Sequence, residues 1–251
     1  MSISPEAESL LFEILESPLG MEHDAPDAMA GMRAPKALGV RLVEDDLGAG
    51  CSSLIRLRQW PFDRIKIDIK IDQAIVMQAV DDPLRTLRFI RQLIRLGHDL
   101  DLEVVVEDLE TRGLIEAALL LGADMGWGYA LARPMSAEAL AGWLGEFHSD
   151  WPDALPATAL GALAGALVWE EHLHALPHDD GYWRQHAEVA CAAGRYVDNR
   201  RLPPLHDAHQ AMHAAAMAGP HDPGYRAARE RFQALLIEQV ALEERRRAVA
   251  A

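Results

Sequence analysis

The stretch RLVEDDLGAGCSSLIRLRQWPFDRIKID, Arg41 to Asp68, decides how the rest of this chain is read. Val40 to Glu44 is an apolar run of strand length that hands two adjacent aspartates, Asp45 and Asp46, to a glycine-containing loop. A short helical segment follows, and a second strand ends in Lys66, Ile67 and Asp68. Strands that deliver acidic residues to the loops beyond them, with helices between, are how a parallel (β/α) barrel assembles its functional rim. Hard divalent cations prefer oxygen donors, and paired carboxylates offset their charge, so Asp45 and Asp46 point to metal-assisted chemistry. A second reading stays open, because Asp-Asp-x-Gly also makes a turn held by its own side-chain-to-backbone hydrogen bonds. Lys66 and Asp68 share one strand face, so Lys66 is either a site residue or a strand-end partner of Asp68 or Asp63.

Outward from this stretch the same alternation continues. Leu10 to Leu15 is a short apolar run with Glu13 and Glu16 near its end, which predicts a buried strand. Residues 25–38 read as a helix capped by Asp24, bent by Pro35 and stopped by Gly39. Residues 84–96 place Leu84, Leu87, Ile90, Leu93 and Ile94 on one helical face with arginines on the other. Glu103 to Val106 is the next strand, delivering Glu107 and Glu110, and the helix over residues 112–121 is closed by Gly122.

Composition narrows the classes. The chain has 251 residues, and its 24 Lys+Arg against 39 Asp+Glu give a net charge of −15, which opposes binding to a nucleic-acid backbone. Its 2 cysteines, Cys51 and Cys191, are far apart in dissimilar contexts, so a disulfide framework is not expected and a reducing cytoplasm fits. The opening residues are polar and acidic, unlike a secretory leader. The longest low-charge run, residues 151–169, is interrupted by Pro152, Asp153 and Pro156, so no membrane span is expected.

Histidine usage divides the chain. Of 11 histidines, only His23 and His98 precede residue 148. With the WPDALP segment at Trp151 to Pro156, this predicts one domain over residues 1–148 and another over residues 155–251. The second is Ala-rich and helical in pattern. Helices over residues 157–175, 182–194, 205–217 and 225–248, the last with a stripe of Phe232, Leu235, Leu236, Gln239 and Leu242, predict an antiparallel helical bundle.

Five collinear segments carry a family resemblance. The loop from Leu42 to Ser53 resembles the DDFGTGYSS loop of EAL-type cyclic di-GMP phosphodiesterases. FEILES (Phe12 to Ser17), IKID (Ile65 to Asp68), VVVEDLET (Val104 to Thr111) and LGADMGWGYALARPM (Leu121 to Met135) resemble that family's LEITES, KID, VVAEGVET and LGCDYLQGYLFSRPL segments. The resemblance implies an α/β fold, here an incomplete (β/α) barrel with parallel strands. It further implies Mg²⁺ or Mn²⁺ held by Glu13, Asp45 and Asp46, with Lys66 at the attacking water. Glu107 would bind metal or orient that water, and Glu110 would steady the preceding loop. Two positions depart from the pattern: Asp108 stands for Gly, and Trp127 stands for Gln, where an indole cannot copy the amide and implies a relaxed catalytic network, with stacking on a guanine as the other reading. The family's first three strands, with the Glu-Ala-Leu signature, have no counterpart, which leaves roughly five of eight. This predicts either a remnant that covers its sheet edges by dimerising or with a protein partner, or a part of a longer protein.

Within the helical part, CAAGRY (Cys191 to Tyr196) and HDAHQAMH (His206 to His213) resemble the CxxGxW and HxxxH elements of the chemoreceptor zinc-binding family, a helical module with three His and one Cys. The resemblance implies zinc at Cys191, His209 and His213, with His172 or His174 replacing the family's first His, whose position is Ala166 here. A histidine-rich bundle surface around a buried structural Cys is the other reading. Together these predict a cyclic di-GMP signalling protein whose degenerate EAL-like domain binds ligand or partner with little turnover, linked to a zinc-sensing module. The alternative is an active phosphodiesterase opening cyclic di-GMP to linear pGpG.

Overall fold

The computed structural model describes residues 10–14, 25–45, 47, 54–69, 82–147, 156–176, 180–189, 191–219 and 221–250. Asp46, Glu16, Asp24 and Cys51 lie outside the described residues. The first half alternates β1 (Leu11–Ile14), α1 (Ala25–Ala37), β2 (Arg41–Glu44), α2 (Leu54–Gln59), β3 (Arg64–Asp68), α3 (Pro83–Asp99), β4 (Glu103–Glu107), α4 (Arg112–Leu121), β5 (Met125–Gly126) and α5 (Ala137–Glu146). All four strand pairings are parallel and the order is β1-β2-β3-β4-β5, so each strand lies beside its predecessor as in a segment of barrel wall.

The termini follow local chemistry. Gly39 and Gly122 stop α1 and α4 with φ of 94° and 93°, which a Cβ would resist. Asp82 accepts from the Arg85 N–H with Pro83 at the first helical position, and Thr111 accepts from the Leu114 N–H. Pro35 lies inside α1, and its carbonyl accepts from both Leu38 and Val40 as the helix unwinds.

The two faces of the sheet differ. Leu42, Ile65, Ile67, Val104 and Val106 are at most 1% exposed beneath the helices. The residues between them in sequence, Arg41, Val43, Arg64, Lys66, Glu103, Val105 and Glu107, face the concave side. There Arg64 pairs with Glu103 at 2.6 Å near the strand starts. The functional cluster lies at the strand ends.

The second half comprises α6 (Ala159–Ala175), α7 (Asp180–Glu188), α8 (Ala193–Arg200), α9 (Pro203–Ala216) and α10 (Pro223–Ala250). The continuous helix expected over residues 182–194 is two helices, because the chain turns at Cys191, whose carbonyl accepts from the Gly194 N–H at 2.9 Å. The buried face of α10 is Tyr225, Phe232, Gln233, Leu236 and Val240, whereas Leu242 of the expected stripe is 37% exposed.

α6 is buried on nearly every side, from Gly161 through Leu167 to Trp169. Small residues let it approach its neighbours: a Cβ on Gly161 would lie 2.6 Å from Glu116 Oε2, and one on Gly165 2.8 Å from the Ala192 Cβ. Its first turn is received by two glutamates from different elements. Glu116, fully buried on α4, accepts from the backbone N–H of Ala157 and Thr158 at 3.0 and 2.9 Å, and from the Thr158 hydroxyl at 2.7 Å. Glu243 on α10 accepts from the Ala159 N–H at 2.9 Å. One hydrophobic cluster accordingly runs from Leu42 in β2 to Val240 in α10. Among the described residues no helix is long and apolar enough to cross a membrane.

Replacing Glu116 with Ala removes the acceptor shared by the Ala157 and Thr158 N–H groups and the Thr158 hydroxyl, and with it the tie between α4 and the cap of α6. We expect Glu116→Ala to lower stability by about 2–4 kcal/mol, read as a fall in the urea midpoint; an unchanged midpoint would remove this joint from the account.

Candidate functional site

Four parallel strands bring ionisable side chains to one edge of the concave face. Lys66 Nζ, on β3, lies 2.7 Å from Asp45 Oδ1 just beyond β2, 3.0 Å from Glu107 Oε1 at the end of β4, and 3.3 Å from Glu13 Oε1 on β1. Lys66 is 6% exposed and Asp45 9%, so the ammonium and its closest partner are largely removed from water. Burial disfavours the Lys66 charge, but hydrogen bonds to Asp45 and Glu107 outweigh it and hold the ammonium protonated well above its usual range. Burial raises Glu107, with Lys66 pulling in the opposite direction. Of the strand-end partners considered from sequence, Asp63 is engaged elsewhere: it binds Lys36 and accepts from the Leu42 N–H at 2.8 Å.

The loop after β4 is fixed by its neighbours. Asp108 occupies the left-handed region at φ 58°, the conformation that favours the Gly of the resembled pattern. Leu109, 1% exposed, donates to the Trp127 carbonyl at 2.9 Å and accepts from the Ala130 N–H at 3.0 Å. This locks the loop against the segment after β5. The Trp127 ring centroid then lies 5.2 Å from Lys66 Nζ, a cation–π distance.

Glu110 does not join the cluster. The left-handed turn at Asp108 and the buried Leu109 carry the chain over to the helix-covered side, where Glu110 lines a cavity of about 180 Å³ with Pro83, Leu87, Val240 and Arg247. For Trp127, read from sequence as a relaxed network or a guanine stacker, the structure adds that the ring stands beside Lys66.

A second cluster sits among the helices. Cys191 Sγ lies 3.1 Å from His209 Nε2, which is 3.2 Å from His213 Nε2, and the three donor atoms all fall within 4.8 Å of one another. His213 Nδ1 contacts the Ala187 carbonyl at 2.9 Å, and a proton there leaves Nε2 as the lone-pair atom facing the cluster. The Trp169 ring lies tilted against His213 at 4.6 Å and Phe232 lies 5.0 Å from His209, so aromatic rings flank both imidazoles. Burial pushes the Cys191 thiol up to about 11. His209 is lowered to about 4, by burial first and then by the charge of His213.

His172 is absent from this group. On α6 the inward turns are taken by Trp169 and Leu173, 5% and 0% exposed, so His172 projects to the surface with its ring 6.2 Å from that of His186. Ala166, 3% exposed and one turn before Trp169, offers only a methyl group.

Comparison with known proteins follows this geometry. The family model of the EAL domain matches residues 2–134, and the chain belongs to the EAL domain family. It is 38% identical over 136 residues to an uncharacterised signalling protein of Caulobacter vibrioides, covering 53% of this chain and 16% of that protein. It is 32% identical over 127 residues to the cyclic di-GMP phosphodiesterase RocR of Pseudomonas aeruginosa, covering 51% of this chain and 31% of that protein. Among solved structures, the PaMucR phosphodiesterase in complex with c-di-GMP is 31% identical with a TM-score of 0.46, over 54% of this chain and 52% of that one. The chain therefore spans between a sixth and a third of the length of these curated relatives.

The His209 shift fixes a pH dependence. A histidine whose folded pKa lies below its unfolded value of 6.5 contributes stability that is complete above about pH 6.5 and lost as pH falls toward 4, because the unfolded chain binds the proton first. In chelator-treated protein we expect His209→Asn to reduce the stability lost between pH 7 and 4.5 by about 2 kcal/mol. Identical pH profiles for both proteins would contradict the assignment.

Proposed function

We propose that this chain is a cyclic di-GMP-responsive regulatory unit. In this reading residues 1–148 form an EAL-like domain that holds the nucleotide or a protein partner with little turnover, and residues 155–251 form a helical bundle carrying a zinc-sensing site. The observation that carries the first part is the convergence of Glu13, Asp45 and Glu107 on Lys66. Family membership and a relative named as a cyclic di-GMP phosphodiesterase supply the ligand class. Weak turnover is supported by Trp127, where the EAL pattern has an amide that accepts and donates hydrogen bonds, and by Asp108 in a left-handed turn beside Glu107.

The carboxylates of Glu13, Asp45 and Glu107 are hard oxygen donors of the kind Mg²⁺ or Mn²⁺ takes, but Lys66 sits between them, and among the described residues only Cys191, His209 and His213 bring three donor atoms within 4.8 Å of one another, so an ion here would require the carboxylates to draw together. Asp46 is a further proposed donor. Bound there, such an ion supplies an activated water for attack on phosphate. Lys66 keeps the carboxylates gathered whether or not an ion is present. The same convergence favours a second reading, an active phosphodiesterase producing pGpG with Lys66 and Glu107 in catalytic roles.

Purified protein incubated with cyclic di-GMP and Mn²⁺ should yield no more pGpG than its Asp45→Ala variant, while calorimetry shows binding by the parent. Metal-dependent turnover abolished by Asp45→Ala would replace the regulatory reading with the enzymatic one.

For the helical site, a thiolate and two imidazoles suit zinc, with one position of its tetrahedron left to water or another donor. Since the thiol titrates at about 11, binding must expel its proton at neutral pH. We expect about one equivalent of zinc by mass spectrometry and a rise in melting temperature on zinc addition, both lost in Cys191→Ala and in His213→Ala. A zinc-free preparation whose melting is indifferent to added zinc would refute the site.

A further inference from the structure

Trp127 exposes 58% of its surface, yet its backbone is among the most firmly held at the strand ends. Its N–H donates to the Val106 carbonyl at 2.8 Å, and its carbonyl accepts from the Leu109 N–H at 2.9 Å. A Cβ on the following Gly128 would stand 2.3 Å from the Leu109 nitrogen, so this segment lies flat on the β4–α4 loop. An indole on a firmly held backbone, turned to solvent beside a charged cluster, leaves much of its apolar surface open.

The ring divides two hollows. On one side is a trough of about 290 Å³ containing Glu13, Arg64 and Lys66, and on the other a groove of about 1080 Å³ containing Glu107, Asp108, Tyr129 and Arg133. Both count Trp127 in their walls. Lys66 Nζ lies 5.2 Å from the indole centroid, so the ring borders the carboxylate cluster where a cation would have to offset the charge of a ligand's phosphate. Arg133 lies 5.3 Å over the Tyr129 ring, giving the groove a second planar surface.

We propose that Trp127 is a stacking platform for the guanine base of a bound nucleotide, with the phosphate directed to the Lys66 side and the base into the groove. The inference rests on the nucleotide reading above and names the residue that grips the base. An indole matches a bicyclic purine in extent, and stacking holds a base without demanding a particular hydrogen-bond pattern. The carboxylates of Asp68, Glu107 and Asp108 along the groove favour guanine over adenine, because the guanine Watson–Crick edge presents N–H donors to them whereas adenine presents a ring acceptor. Gln at this position offers hydrogen bonds but no ring, so the exchange trades polar orientation for surface grip.

The test uses the whole chain, with cyclic di-GMP, GMP and UMP as calorimetric ligands. Trp127→Ala should weaken cyclic di-GMP binding by about 5- to 100-fold, Trp127→Phe should hold it within a few-fold, and the preference of the parent for GMP over UMP should vanish in the Ala variant. Because the side chain is exposed, melting temperatures of the three proteins should coincide. Equal affinity of parent and Trp127→Ala would overturn the platform while leaving the cyclic di-GMP reading intact. Trp127-dependent GMP binding without cyclic di-GMP binding would do the reverse, and no guanine nucleotide binding by the parent would remove both.

Discussion

Parallel strands all point their carboxyl ends the same way, and in this chain that constraint collects charge. Glu13, Asp45, Lys66 and Glu107 come from sequence positions up to 94 residues apart, yet their strands run side by side in order. Three carboxylates at one edge repel one another. A single ammonium among them, 6% exposed and within 3.3 Å of all three, is what makes the arrangement stable. A separate ionic pair, Arg64 with Glu103, lies at the other end of the same strands.

Much of this was written in the sequence because it rests on short-range rules. Alternation gave β2, β3 and β4, and Gly39 and Gly122 stopped their helices in the left-handed turns that glycine tolerates. The link from Lys66 to Asp45 and Glu107 came through resemblance, since periodicity alone left Asp63 and Asp68 as equal partners. What stayed hidden depended on direction rather than spacing. Glu110 is three residues from Glu107, but a left-handed residue and a buried leucine between them send it to the other side of the sheet. His172 has suitable chemistry three residues beyond Trp169, but Leu173 occupies the inward turn. The interruption of the helix near Cys191 has no strong breaker in CAAGRY.

The joint between the halves was also unreadable from local pattern. The Ala/Gly-rich run was legible as a helix, but the thorough burial of that helix among the described residues was not. Small side chains bring α6 close to its neighbours, and close approach strands the first backbone N–H groups away from water. Glu116 and Glu243 supply the acceptors, and negative charge at a helix N-terminus gains further from the helix dipole. Because Trp169 on this same helix touches His213, the helical Cys/His cluster rests on an element whose other end is fastened to α4.

The two departures from the EAL pattern are physically connected. Asp108 holds the left-handed turn at a cost of about 1 kcal/mol relative to Gly. Surrounding contacts must enforce it, and these run to Leu109, which binds the backbone of Trp127. The strained loop and the exposed indole are thus opposite sides of one hydrogen-bonded unit. That unit sets both the position of Glu107 beneath Lys66 and the height of the ring above it. Because the link between them runs through backbone atoms, the ring at 127 can change while the loop that places Glu107 and the strand that carries Lys66 keep their positions.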